Sequence, residues 1–290
     1  KKMKKFILKL LCLFIFIHWT INIKEANALI PYYYLPSEKN LKDNGLSMGK
    51  TAYQLLYFGQ IKESLNLAKL AVKIFRSNEK LWLILSEAQL ANNLNQEALI
   101  SLNNAQKIKP DLSEIYFAKS NIFLKMSELK KAKISLKKGL KFDPSNHKAI
   151  FQLGNIFLLE KDFLSANIYF DKAIKIKPDF WQALNNKGLA YFEQNKISLS
   201  IKFFRKAISI EENAEPMLGL ASSLASEDIN SALKLAKEAL KKDPNYVNYI
   251  YRKEQLWGEK LQNRTENLLK NKELIEEIKE AKSKNNKYDP

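Results

Sequence analysis

Residues 147–180 read HKAIFQLGNIFLLEKDFLSANIYFDKAIKIKPDF. Leu153, Gly154 and Phe157 mark one helical stretch, Ala166, Phe170 and Ala173 a second, and Pro178 stops it. The same registers recur on both sides. Pro110, Pro144 and Pro178 are spaced at intervals of 34; the next place in the series holds Glu212, and Pro244 follows 32 residues later. Ala98, Ala132, Ala166, Ser200 and Ala232 form a parallel series, and Ala105, Gly139, Ala173, Ala207 and Ala239 a third. Three registers in step over five units describe a tandem array of antiparallel helix pairs, A and B. No pair can bury its apolar face alone, so the pairs must stack. Small residues let the helix axes approach, and Phe157 and Phe170 fill the space between adjacent pairs.

With these residues in view, the chain resembles the tetratricopeptide repeat family, whose pattern is W-x2-L-G-x2-Y, then A-x3-F, a small residue and a proline. The second repeat has Trp82, Leu85, Ser86, Ala98, Leu102, Ala105 and Pro110; the third has Tyr116, Ser120, Phe123, Ala132, Leu136, Gly139 and Pro144. The fifth has Leu184, Gly188, Tyr191, Ser200, Phe204 and Ala207, with Glu212 in place of proline. The resemblance implies an all-α, right-handed solenoid with repeats at about 45–78, 79–112, 113–146, 147–180, 181–214 and 215–246. A capping helix from about Tyr246 to Lys282 is expected to follow, fraying beyond Asn267 into a charged tail within 247–290.

The N-terminus reads as an export signal over residues 1–28. Lys4 and Lys5 precede the apolar stretch Leu10 to Thr20, and Ala26-Asn27-Ala28 supplies small residues in an A-x-A pattern. Mature protein is then expected to start at Leu29. An uncleaved anchor over residues 6–23 is the alternative. Either way the remainder is expected across a membrane, in a thylakoid lumen or periplasm. Residues 29–44, with Pro31-Tyr32-Tyr33-Tyr34-Leu35-Pro36, read as an extended linker.

The chain carries 48 Lys and Arg against 31 Asp and Glu, a net charge of +17. A basic balance attracts nucleic acid, anionic membrane or acidic partners. No dense Lys/Arg run appears in the repeats, and Lys, Asn and Ile are abundant throughout, so compositional drift accounts for the charge at least as well as a dedicated patch. The single cysteine, Cys12, leaves no intrachain disulfide. Of two histidines, His18 lies in the leader and His147 opens repeat four at a loop position expected to be exposed. No phosphate loop or Cys/His metal spacing occurs. The expectation is a non-catalytic protein with no cofactor, no metal and no small-molecule substrate.

What remains is a groove. The family resemblance implies that A helices line the concave side, with repeat positions 2, 5, 6, 9 and 12 facing into it. The candidate partner-binding residues are Phe117, Asn121, Lys148, Phe151, Gln152, Asn155, Gln182, Asn185, Asn186 and Leu189. Amides can donate to and accept from an extended backbone, and the Phe rings could pack partner side chains or pack between neighbouring A helices. The family's carboxylate clamp lacks its basic partners, since Phe117 and Phe151 stand where lysine belongs. Related repeats that read RNA use a period of 35, so nucleic acid is not the expected partner; a membrane surface meeting the basic outer face is the competing reading. The leader, Leu29-Ile30-Pro31-Tyr32 and Gln255-Leu256-Trp257-Gly258-Glu259-Lys260-Leu261 resemble exported repeat proteins of cyanobacteria and chloroplasts. That resemblance implies a membrane-complex subunit as partner and a role in building photosynthetic complexes.

Overall fold

The structure is a computed structural model that describes residues 36–284. The expected signal peptide or anchor, and the linker up to Leu35, lie outside the described residues. The chain divides into two units, residues 1–44 and 45–290. In the first, the chain turns helical at Glu38, where an extended linker was expected to run to Asn44. Local capping explains the early start. Ser37 Oγ accepts from Asn40 N at 3.2 Å, and Glu38 in the first turn pairs with Lys42 at 2.6 Å.

The second unit is a solenoid of paired helices. A and B helices alternate as α1 (Glu38–Tyr57), α2 (Ile61–Ile74), α3 (Glu79–Ala91), α4 (Asn95–Ile108), α5 (Ser113–Lys125) and α6 (Leu129–Phe142). They continue as α7 (His147–Leu159), α8 (Phe163–Ile176), α9 (Trp181–Glu193), α10 (Ile197–Ile210), α11 (Ala214–Leu224) and α12 (Ile229–Lys242). The described residues contain no strand. Both small-residue series are fully buried, from Ala98 to Ala232 and from Ala105 to Ala239. Ser200 takes an alanine place by donating its Oγ to the Gly188 carbonyl at 2.9 Å; Ser64 does the same toward Ala52 at 2.7 Å. Phe204 lies between α9 and α11, so close that a Cβ at either Gly188 or Gly219 would be 2.7 Å from its ring.

The first five A–B turns each use one left-handed residue, and these too recur every 34 positions. Gly59, Asn93, Ser127, Lys161 and Asn195 have φ of 75°, 62°, 59°, 60° and 60°. Glycine and asparagine adopt this conformation cheaply; lysine does not. Prolines 110, 144 and 178 each lie two residues beyond the end of a B helix, where their missing N–H costs no helical hydrogen bond.

Beyond α12 the expected single capping helix is broken into pieces. A 3-10 turn (Pro244–Val247) leads to α13 (Tyr249–Glu254), then α14 (Glu259–Leu269), a second 3-10 turn (Lys272–Leu274) and α15 (Ile275–Ser283). Two features interrupt it: Leu256 has φ 66°, and Gly258 starts α14 in an extended conformation. The segment past Asn267 is packed, not frayed, because Leu268, Leu274 and Ala281 are buried.

Candidate functional site: a concave face closed at one end

The A helices α3, α5, α7, α9 and α11 form one face of the stack, with α5 beside α3, α9 beside α7 and α11 beside α9. Amide side chains run along it. Gln152 Nε2 donates to Asn121 Oδ1 at 2.9 Å, bridging repeats three and four. Asn186 Nδ2 donates to Asn155 Oδ1 at 2.8 Å, and Asn185 Nδ2 to Asn186 Oδ1 at 3.0 Å. The amides expected to await a partner are thus partly joined to one another, twice across a separation of 31 residues.

The two halves of this row have different surroundings. Asn121 and Lys148 are exposed, and Gln152, Asn155 and Gln182 half-buried. Asn185, Asn186 and Leu189 are buried. The cause is the chain's own C-terminal segment. Helix α14 lies against α9 and α11, with Ser222 and Thr265 hydroxyls 2.7 Å apart. Trp257 Nε1 donates to Glu215 Oε1 at 3.3 Å. The N-terminus of α14 has no cap of its own at Gly258; Glu193 of α9 supplies it, accepting from Leu261 N at 3.0 Å and Lys260 N at 3.3 Å. A side chain at Gly258 would run into the Glu193 carboxylate. The expectation of an accessible groove at repeat five is therefore corrected: Asn185, Asn186 and Leu189 are floor under α14.

Of the two roles left open for the aromatic rings, the structure takes packing. Phe117 lies on Gly139 of its own B helix. Phe151 packs on Phe170 and Phe180, with centroids 5.7 and 5.0 Å apart. Both rings belong to the packing between helices. His147 is half-buried, not exposed, and meets Phe180 edge-on at 5.1 Å; burial, then Lys177 and Lys148, hold its pKa below the usual value.

Two charged residues that sequence reasoning missed fix the closed end. Glu215, at the start of α11, is buried, and that burial pushes its pKa up to about 7 against hydrogen bonds from Asn185, Trp257 and Tyr246. Arg252 is fully buried. It donates from Nε to Gln262 Oε1 at 2.8 Å, from Nη1 to the Tyr246 carbonyl at 2.6 Å, and from Nη2 to Glu266. A buried cation needs such partners, so the network ties the 3-10 turn, α13 and α14 into one body. Neither residue lies in the repeat pattern, and only a buried-side register for the C-terminal segment could have pointed to them. Where the open half meets this body, a cleft of about 500 Å³ is lined by Leu158, Phe163, Glu193, Leu256 and Trp257. Among the described residues no three His, Cys, Asp or Glu side chains come together as metal ligands, and no helix is long and apolar enough to cross a membrane.

Models of the tetratricopeptide repeat match residues 113–146, 147–180 and 181–214. Residues 113–214 are thus three tetratricopeptide repeats. The solved structure of Pseudomonas aeruginosa PilF is similar with a TM-score of 0.62 and 14% identity, covering 75% of this chain and 98% of that one. PilW, a type IV pilus biogenesis factor, gives 0.59 and 20% over 76% and 97% of the two chains. A tetratricopeptide-repeat protein of Parabacteroides merdae gives 0.59 and 19% over 83% and 99%. At these identities the likeness is one of fold. No curated protein matches the sequence.

Proposed function

We propose that this tetratricopeptide-repeat protein is a non-catalytic scaffold whose open concave face, along α3, α5 and α7, holds an extended segment of a partner protein. The observation that carries this reading is the Asn121–Gln152 pair, with Asn121 exposed and Gln152 half-buried. Its one internal hydrogen bond leaves the Asn121 amide N–H groups and the Gln152 carbonyl available to a peptide backbone. The equivalent pair one repeat on, Asn155–Asn186, is instead sealed from solvent at its Asn186 end. The cleft at Leu158 and Trp257, edged by Lys161, Glu193 and Lys253, offers a place for a side chain where the segment must stop. The finer role we propose is assembly of a membrane complex on the exported side of a thylakoid or other bacterial membrane. It rests on the leader motif and on the Gln255–Leu261 resemblance.

A photo-crosslinking residue at Gln152 tests the face. It is expected to trap a discrete partner from native membranes, while the same probe at Arg205 on α10 does not. Replacing Asn121 and Gln152 together with Ala removes hydrogen bonds worth about 0.5–1.5 kcal/mol each and is expected to weaken capture several-fold with the fold intact. Equal trapping from both probe positions contradicts the reading.

A further inference from the structure

The charge of the chain is not spread evenly over the stack. In repeats two to six the A helices α3, α5, α7, α9 and α11 carry five Lys and five Asp or Glu. The B helices α4, α6, α8, α10 and α12 carry sixteen Lys or Arg against three Asp or Glu, a surplus of 13. Both sets come from the same Lys- and Asn-rich sequence, so composition does not explain the contrast.

The surplus lies on one side of these helices. On α6, Lys130, Ile134, Lys137, Lys138 and Lys141 share a face by their spacing of three and four, and all are exposed. On α10, Lys202, Arg205 and Lys206 occupy the same places and are also exposed. Among the described residues none of these cations has a carboxylate within 4.0 Å. The ion pairs nearby, Lys131–Glu128 and Lys133–Glu160, involve other lysines. Large aliphatic side chains stand among them. Ile100, Ile134 and Ile168 recur at the 34-residue interval and are 60%, 58% and 54% exposed; Leu164, one turn before Ile168, is 71% exposed.

Unpaired lysines with protruding aliphatics on one face fit an anionic lipid surface. The cations meet the headgroups, and the aliphatic side chains enter the acyl boundary. A nucleic-acid backbone would be served by the lysines but would leave the isoleucines against water; the face holds one Arg, and the exposed ring on α6, Phe142, is already stacked on Tyr116. We infer that the outer face of the B helices, centred on α6 and α8, docks the protein on an anionic membrane, leaving the concave face turned away for its partner. This goes beyond the groove reading and stands without it.

The test uses the full-length chain with Cys12→Ser and Ile134→Cys carrying an environment-sensitive dye, so that insertion is read at this face and not at the leader. Vesicles of phosphatidylcholine with about one-third phosphatidylglycerol are expected to shift the dye emission to the blue; vesicles of phosphatidylcholine alone are not. Lys137→Glu, Lys138→Glu and Lys141→Glu together are expected to weaken the anionic-vesicle partition that the dye reports by about a hundredfold, from the loss of three headgroup contacts. Ile168→Ser with Leu164→Ser is expected to reduce the binding that survives high salt, where screening removes the Coulombic part. No dye shift with anionic vesicles overturns the inference, as does a shift that the charge reversals leave unchanged. Saturable binding of a single-stranded RNA oligomer without a vesicle-induced shift assigns the face to nucleic acid and likewise overturns it.

Discussion

Gly188 is the residue at which packing can be tested most sharply. Its place in the helical pattern reads as a small residue in the sequence, and the structure gives the reason: the Phe204 ring lies on it, with Gly219 equally close on the other side. The ring cannot move away from an added methyl. Gly188→Ala is expected to destabilise by about 1–3 kcal/mol, despite alanine's better helix propensity, measured as a lower urea midpoint at unchanged slope. Glu215 gives the second test at this scale. Its folded pKa of about 7 lies above the usual 4.5, so the native state binds the proton more tightly than the unfolded chain does. Its contribution is therefore fully present below about pH 4.5 and lost as pH rises through 7, a fall of about 3 kcal/mol. Glu215→Gln is expected to remove that decline and to be more stable than wild type at pH 8. The Gln side chain can still accept from Trp257, and its amide can donate to the unpartnered Asn185 Oδ1. Parallel pH profiles for the two proteins would contradict the assignment.

At the scale of the element, the twelve repeat helices were legible because each packing demand recurs every 34 residues. A small residue at Ala166 or Ala173 carries the same meaning in every unit, and a proline as at Pro178 wherever it occurs. The C-terminal segment has no second copy to compare with, so its break at Leu256 and Gly258 could not be read. Its anchor points are also remote in sequence: Glu193 caps a helix that begins more than sixty residues later. The same remoteness hid the burial of Asn185, Asn186 and Leu189, since the helix α14 that packs on α9 comes from more than sixty residues away. Glu193→Ala leaves the first amides of α14 without an acceptor and removes a negative charge from the helix N-terminus. It is expected to cost about 0.5–2 kcal/mol. Because the loss is local, amide hydrogen exchange should quicken in α14 and α13 while α4 and α6 are unaffected; uniform quickening would show that the cap does not act on that helix.

At the scale of the whole molecule, the stack has two chemically distinct sides and one closed end. The neutral A helices present amides, the basic B helices present lysine and isoleucine, and the C-terminal segment occupies the concave face of repeats five and six. That last placement decides where a partner can bind, since an open repeat five would extend the groove by the residues now under α14. Ser222 and Thr265 report on it directly, because their hydroxyls are 2.7 Å apart and they belong to α11 and α14. Ser222→Cys with Thr265→Cys, in a Cys12→Ser background, is the most direct measurement. The account predicts that mild oxidation of the folded protein forms an intrachain disulfide nearly completely, blocking alkylation of both thiols. Two thiols that stay freely alkylated in the folded protein would contradict it, because α14 would then not lie in the concave face.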